Sequence, residues 1–369
     1  MVSKACVTAA YRGKLTDMVR ASGMDLTLMV PPTWGSLPYE SGRDEPFRTI
    51  VAPVRWTGRN HWHWYPGLSA LLRAEQPDLL HVDEEHYSLV TYLALRQAVR
   101  LRIPTLFFSW QNLYKRYPWP FSAMERYVLD HAAGALAGNE EAGEVLRQKG
   151  FAGPLAIVPQ FGTDPELFQP RIFSQIRQQW GYGRDLTVVG YVGRLVPEKG
   201  LDILLEAMIP ILRVGPHTRL VICGDGPLRP VIEAQIEAAR LGDQVRWMPW
   251  VPSERMPDLM NALDIMVLPS RSTPRWKEQF GRVLTEAMAS GVAVVGARSG
   301  EIPNVVGDAG VLFAENNPVA LREELAALVG DAAARRKLAH RGRQRVLQLF
   351  TQRAVAAKTL DFYHQVLGS

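Results

Sequence analysis

Cysteine is nearly absent. There are two in 369 residues, Cys6 and Cys223, and each lies in a short apolar run that reads as a buried strand. Two distant thiols build neither a disulfide framework nor a metal cluster, which points to a reducing compartment. No apolar run approaches the roughly 18 residues that a membrane span needs. The opening stretch from Met1 to Lys14 lacks the basic region, long apolar core and cleavage site of an export signal, so a soluble cytoplasmic protein is expected. Charged residues make up only 21%, and 42 Lys and Arg exceed 37 Asp and Glu for a net charge of +5. That mild excess suits an anionic ligand or an acidic membrane surface and does not by itself indicate DNA. With 47% hydrophobic residues, disorder, coiled coil and collagen-like repeats are excluded.

Several nucleotide-site signatures are also missing. Gly224-Asp225-Gly226-Pro227-Leu228-Arg229 begins like a dinucleotide fingerprint but ends in Arg, and Pro227 stiffens the turn. There is no phosphate-binding loop of the GxxxxGK[ST] type, no GxSxG elbow and no Cys/His cluster with metal spacing. No DxD pair is available to hold a diphosphate through a divalent ion. If an anion binds, protein cations and backbone N–H groups must hold it.

What is present is alternation. Short β-branched runs at Ala5–Thr8, Leu26–Val30, Leu79–Val82, Thr105–Phe108, Ala135–Ala137 and Ala156–Val158 are separated by helix-like stretches such as Leu89–Arg100 and Met124–His131. After Pro170 the pattern restarts with Thr187–Val192, Leu220–Cys223, Val245–Met248, Ile265–Leu268, Ala293–Gly296 and Val311–Phe313. Between these lie Leu201–Leu212, Pro227–Ala239 and Phe280–Ser290. Strand–helix alternation implies parallel sheets covered on both faces, and two series imply two doubly wound α/β domains facing a cleft. The expected division is 1–165, 166–350 and a final helix over 351–369. Ligands of such sheets sit beyond the carboxyl ends of the strands.

Three segments carry chemistry at such ends. In Gly193-Arg194-Leu195-Val196-Pro197-Glu198-Lys199-Gly200, two cations flank a loop that leads into a helix, an arrangement suited to a diphosphate. In Glu278-Gln279-Phe280-Gly281-Arg282-Val283-Leu284-Thr285-Glu286, one acid precedes a helix whose first amides Gly281 leaves open, and a second lies about two turns in. Either acid can accept hydrogen bonds from hydroxyls beside the anion. The strand Ile265–Leu268 ends in Pro269-Ser270 directly before a polar loop, 271–279. Singly, each has a plain explanation: a solvated basic loop, a helix-start acid, a strand end. Together they match a diphosphate with sugars on both sides.

At these residues the sequence resembles the retaining glycosyltransferases of family 4, with the GT-B fold of two Rossmann-like domains. The matching pieces are Gly193-Arg194-Leu195…Glu198-Lys199-Gly200, Gly224-Asp225-Gly226-Pro227, Asp264…Leu268-Pro269-Ser270, Glu278-x7-Glu286, Ser290-Gly291-Val292-Ala293-Val294-Val295 and Gly300-Glu301-Ile302-Pro303. Upstream, Val158-Pro159-Gln160-Phe161-Gly162-Thr163-Asp164 is similar to the family's interdomain turn. The resemblance implies a catalytic set of Glu278, Arg194 and Lys199, with the cations on the diphosphate and Glu278 on the sugar. It gives Glu286 to the ribose, and Gly193 and the backbone around Phe280, Gly281, Arg282 and Val283 to the phosphates. Val251, in Trp250-Val251-Pro252, would meet the base, and no metal or cofactor is implied. The N-terminal half departs from the pattern. Ala10-Tyr11-Arg12-Gly13-Lys14 stands where relatives carry a Gly-Gly loop, leaving Gly13 as the donor-side glycine. Ser109-Trp110-Gln111-Asn112 stands where many have a His, so His86, Trp110 and Gln111 become the candidates for sugar or acceptor contact.

Two aromatic-basic stretches, 55–65 and 110–121, suit a glycan, a lipid-linked acceptor or a membrane interface better than nucleic acid, given the donor motifs. The expectation is a retaining, metal-independent transfer of a sugar from a nucleoside diphosphate sugar to a hydroxyl of a glycan, lipid-linked or small-molecule acceptor. It would take place in the cytoplasm or peripherally at the inner membrane face. An epimerase or phosphorylase on the same fold, or a binding protein without turnover, are the alternatives.

Overall fold

The computed structural model describes all residues except Arg43, Phe173 and Ser369. It divides into two compact units, Met1–Gly162 together with the stretch from Gln352 onward, and Thr163–Thr351.

In the first unit, β1 (Thr27–Val30), β4 (Arg48–Val51), β5 (Leu80–Val82), β6 (Thr105–Ser109), β7 (Gly134–Ala137) and β8 (Leu155–Ile157) are parallel, while β2 (Thr33–Trp34) and β3 (Leu37–Pro38) form a small hairpin. The expected first strand at Ala5–Thr8 is not one. Val2 alone fills that slot, bridging Met29 and Val82 in parallel and joining the pair β1–β4 to the four strands β5–β8. The chain then tightens into 3₁₀ turns, Ala5–Val7 and Ala9–Arg12, before α1 (Gly13–Ser22). Cys6 is thus a turn residue, and its thiol is buried and pushed up to about 12 by desolvation. The β4 strand and the hairpin were not foreseen. Helices α2 (Leu68–Glu75), α3 (Leu89–Leu101), α4 (Phe121–His131) and α5 (Glu140–Gln148) complete this part.

The second unit holds one six-stranded parallel sheet in the order β11-β10-β9-β12-β13-β14. Its strands are β9 (Thr187–Val192), β10 (Thr218–Cys223), β11 (Val245–Met248), β12 (Ile265–Leu268), β13 (Ala293–Ala297) and β14 (Val311–Phe313). Both faces are covered, so the central strands β9 and β12 are buried at every position, as expected for continuous apolar runs. Helices α6 (Gln175–Gln179), α7 (Leu201–Val214), α8 (Arg229–Ala238), α9 (Met256–Met260), α10 (Arg282–Ala289), α11 (Ile302–Val306), α12 (Pro318–Gly330) and α13 (Ala332–Leu349) pack around the sheet. Winding reverses between β9 and β12, and that switch point is where the loops 193–200 and 269–281 leave the sheet. The last helix, α14 (Gln352–Leu367), packs against α1 and puts Val355, Phe362, Tyr363 and Val366 into the first unit's core. Among the described residues no helix is long and apolar enough to cross a membrane.

Candidate functional site

The geometry begins at the end of β9. Gly193 N–H donates to Cys223 O (3.0 Å), and Leu195 N–H to Asp225 O (2.9 Å), so loop 193–196 is sewn to the loop after β10. The two backbones run so close that a Cβ on Gly224 would lie 2.0 Å from Gly193 O. Tyr191 OH donates to Arg194 O (2.8 Å), fixing the Arg194 backbone while its side chain stays exposed. A 3₁₀ turn, Pro197–Lys199, then carries Lys199 to Gly200, whose φ of +66° lets it pass directly under Pro269 O.

That approach brings the β12 loop to Lys199. Its Nζ lies 2.6 Å from Glu278 Oε2 and 5.0 Å from the centroid of Trp276. Ser270, fully buried, donates from Oγ to the same carboxylate oxygen (2.8 Å). Glu278 is itself buried, and its main-chain oxygen accepts from Glu301 N–H (3.1 Å) in the Gly300-Glu301 loop. Arg271 N–H donates to Glu198 O (2.9 Å), and Ser272 is held through N–H and Oγ by the Glu315 carboxylate (2.8 and 2.7 Å). The polar loop 271–279 is therefore anchored at several points.

Helix α10 starts at Arg282, two residues later than expected, because Gly281 (φ +79°) takes the N-cap position with no side-chain cap. Phe280 lies outside the helix, and its ring packs on Phe350 (5.7 Å). Glu286 Oε1 accepts from Arg282 Nε at 3.1 Å. Burial raises the Glu286 pKa, and Arg282 opposes the shift. Val251 has its side chain in the core beside Cys223 and Met256, so only its backbone can face a ligand, whereas Trp250 is exposed. Ser270 and Trp276 were given no role by sequence reasoning. Ser270 follows the strand Ile265–Leu268 and Trp276 lies in the polar loop 271–279, but the 79-residue separation of Lys199 and Glu278 hides the cluster they join.

The first unit holds its candidates differently. Gly13 is not in an open glycine loop. It opens α1, and a Cβ there would lie 2.3 Å from Gln352 Oε1 of α14. Its neighbour Arg12 is buried, donating to Cys6 O (2.7 Å) and Glu40 O (2.6 Å) and pairing with Glu45 (2.5 Å). His86 is fully enclosed. Nε2 lies 3.0 Å from Glu125, which also takes Lys149 at 2.6 Å, so the imidazole faces the interior rather than a surface ligand. Trp110 donates its backbone N–H to Glu85 Oε1 (2.9 Å) and its indole N–H to Gln160 Oε1 (2.8 Å). Gln111 is buried and donates to Leu113 O (3.1 Å), while its Oε1 has no partner. Beneath them, desolvation raises Asp83 to about 6 against the pull of Lys14. Desolvation would raise Glu84 too, but its ion pair with Lys4 and the neighbouring His63 hold it at about 2. Sequence reasoning had not singled out Asp83 or Glu84 as functional.

Comparison with known proteins adds the family context. The profile of the glycosyl transferases group 1 matches residues 173–345, and that of the glycosyl transferase 4-like domain matches residues 8–160. A D-inositol 3-phosphate glycosyltransferase of Segniliparus rotundus is 34% identical over 222 residues, 57% of this chain and 47% of the relative. A 2-deoxystreptamine glucosyltransferase of Streptomyces kanamyceticus is 27% identical over 253 residues, 67% of this chain and 64% of the relative. The matched stretch thus spans less than two thirds of these relatives' length. Among solved structures, sucrose-phosphate synthase of Thermosynechococcus elongatus superposes with a TM-score of 0.72 at 23% identity, covering 96% of this chain and 92% of that one. Anabaena HepE, solved with UDP and glucose, gives 0.71 at 17%, covering 98% of each. These likenesses show the fold: two Rossmann-like domains of the GT-B type.

Proposed function

The chain belongs to the glycosyl transferases group 1, the family 4 enzymes of GT-B fold, and from that premise we propose that it transfers a sugar, with retention at the anomeric carbon, from a nucleoside diphosphate sugar to an acceptor hydroxyl. The observation that carries this reading is the cluster at the switch point between β9 and β12: Arg194 exposed on one loop, Lys199 paired with Glu278, and the uncapped start of α10.

Breaking the bond between the anomeric carbon and the diphosphate puts negative charge on the leaving phosphate and an oxocarbenium-like charge on the sugar. Arg194, Lys199 and the positive end of α10 stabilise the first more strongly in the transition state than in the bound substrate. In this reading no carboxylate is assigned as a covalent nucleophile: Glu278 engages Lys199 and Ser270 through Oε2 and serves the hydroxyls of the sugar. The acceptor oxygen therefore attacks the face from which the diphosphate leaves, and its proton passes to the departing phosphate oxygen. Glu278 accepts hydrogen bonds from hydroxyls of the transferred sugar, and Glu286 from the ribose diol. Two protein cations and a helix start do the neutralising that a divalent ion does elsewhere, so the reaction needs no metal.

A uridine diphosphate sugar, the kind of ligand solved with HepE, is the donor to try first. The acceptor is a hydroxyl of a glycan, a lipid-linked sugar or a polyol, and the reaction takes place in the cytoplasm. Donor consumption should be followed by chromatography for the wild type, Arg194→Ala and Lys199→Ala. Each loss should cost about 2–4 kcal/mol of transition-state stabilisation with folding retained. Unaltered turnover in both variants would remove the diphosphate assignment.

A further inference from the structure

We propose that the first unit carries a docking surface for an anionic lipid bilayer, formed by the loops that follow β1, β4 and β6. This goes beyond the transfer reaction and stands on different residues.

The two aromatic-basic stretches of the sequence meet in space. Trp62 packs edge-on against Phe121 (4.6 Å), His61 lies 6.4 Å from Tyr117, and Trp56 lies 6.3 Å from Trp62. The β2–β3 hairpin joins them, since Thr57 Oγ1 accepts from Gly35 N–H (3.2 Å) and donates to Thr33 O (2.8 Å). All three loops leave the carboxyl ends of parallel strands, so they share one end of the sheet.

Their tips are apolar and exposed. Trp119 is 82% exposed and Trp56 55%, with Leu37 on the hairpin at 55%. Exposed apolar tips gathered at one end of a sheet, rather than scattered singly, are the mark of an interaction surface. Interleaved with them are Arg55, Arg59, Lys115 and Arg116, all exposed. Among the described residues none of the four has a carboxylate partner. The acids beneath are already committed: Glu84 to Lys4, Glu85 to Ser109 and Trp110, and Glu125 to Lys149 and His86. The face therefore presents exposed tryptophans together with four cations that lack a carboxylate partner, against two exposed acids, Glu40 and Asp44, in the loop after β1. Indole at headgroup depth and Lys or Arg against anionic phosphates are what such a face fits. A neutral glycan would use the rings but gain little from four unpaired cations.

The test is co-sedimentation of the full chain, without nucleotide, with vesicles of pure phosphatidylcholine or of phosphatidylcholine carrying one third phosphatidylglycerol. The expected result is binding at least about tenfold stronger to the anionic vesicles, falling steeply between about 0.1 and 0.5 M salt. Arg59→Glu with Arg116→Glu, and separately Trp56→Ser with Trp119→Ser, should each abolish sedimentation while melting like the wild type, because all four side chains are exposed. The proposal is overturned if the wild type stays in the supernatant or binds both vesicle types alike. It also fails if the variants sediment as the wild type does, or if the patch variants instead lose retention on a neutral polysaccharide column. Binding of nucleoside diphosphate to the same samples, read separately, reports on the transferase reading alone.

Discussion

Glu278 holds two partners on one oxygen, the Lys199 ammonium at 2.6 Å and the Ser270 hydroxyl at 2.8 Å. A diphosphate must compete with that carboxylate for Lys199. Glu278→Gln should therefore leave nucleoside diphosphate affinity unchanged or slightly higher, while turnover falls by about 10²-fold and the choice of sugar broadens. Calorimetry and kinetics on one preparation check this; a large loss of diphosphate affinity would put the acid in the wrong role. Glu286 should behave oppositely. Desolvation raises its pKa, and Arg282 restrains the shift. Hydrogen bonds from ribose hydroxyls favour the ionised form, so nucleotide affinity should decline as pH falls through that raised pKa. The same upward shift means the protonated form is favoured in the fold, so this group's contribution to stability is complete below its unfolded pKa and is lost as pH rises through the folded one. In Glu286→Gln the acid limb of the affinity profile should vanish, leaving only the titration of the nucleotide's own phosphate. An unchanged profile would exclude the ribose role.

The elements that hold these residues meet through glycines. Gly200 at φ +66° has Pro269 O where a Cβ would stand, at 2.0 Å, whereas Gly242 has nothing within 4 Å. Gly200→Ala should destabilise the second unit by about 2 kcal/mol or more and weaken diphosphate binding, while Gly242→Ala should shift stability by less than about 0.5 kcal/mol. Urea unfolding of the pair tests the contrast. At this scale the second unit was legible: Thr187–Val192, Val245–Met248, Ile265–Leu268 and Val311–Phe313 are strands at the bounds their apolar runs suggest. The first unit was less so. Ala5-Cys6-Val7 has strand composition but folds as a 3₁₀ turn, because Val2 already occupies the central slot. The strand Arg48–Val51 lies at a sheet edge with its end residues exposed, and its apolar stretch Ile50-Val51-Ala52 is short and cut off by Pro53. The cluster around Lys199 was readable as separate motifs. The Lys199–Glu278–Ser270 contact was not, because only the order β9-β12 brings residues so far apart together. The enclosure of His86 was hidden for the same reason: its partner Glu125 comes from α4, and Lys149, which shares that carboxylate, from the turn after α5.

For the molecule as a whole, the chain returns at its end to the unit in which it began. Tyr363 OH hydrogen-bonds His81 Nδ1 at 2.6 Å, and Phe362 and Val366 complete the core under α1. Ending the chain at Thr351 should thus leave the second unit resistant to protease and the first one cleaved, since several core side chains worth roughly 2–5 kcal/mol each are lost from one unit only. The central claim concerns the second unit: a nucleoside diphosphate is gripped by Arg194, Lys199 and the start of α10 without a divalent ion. The direct measurement is isothermal titration of UDP, GDP and ADP into the full chain with a chelator present, repeated with Lys199→Ala. At least one diphosphate should bind, and the variant should bind it about 10–100-fold more weakly, the value of one charge-assisted contact. No binding by any of the three, binding only after magnesium or manganese is added, or equal affinity in the variant would contradict the account.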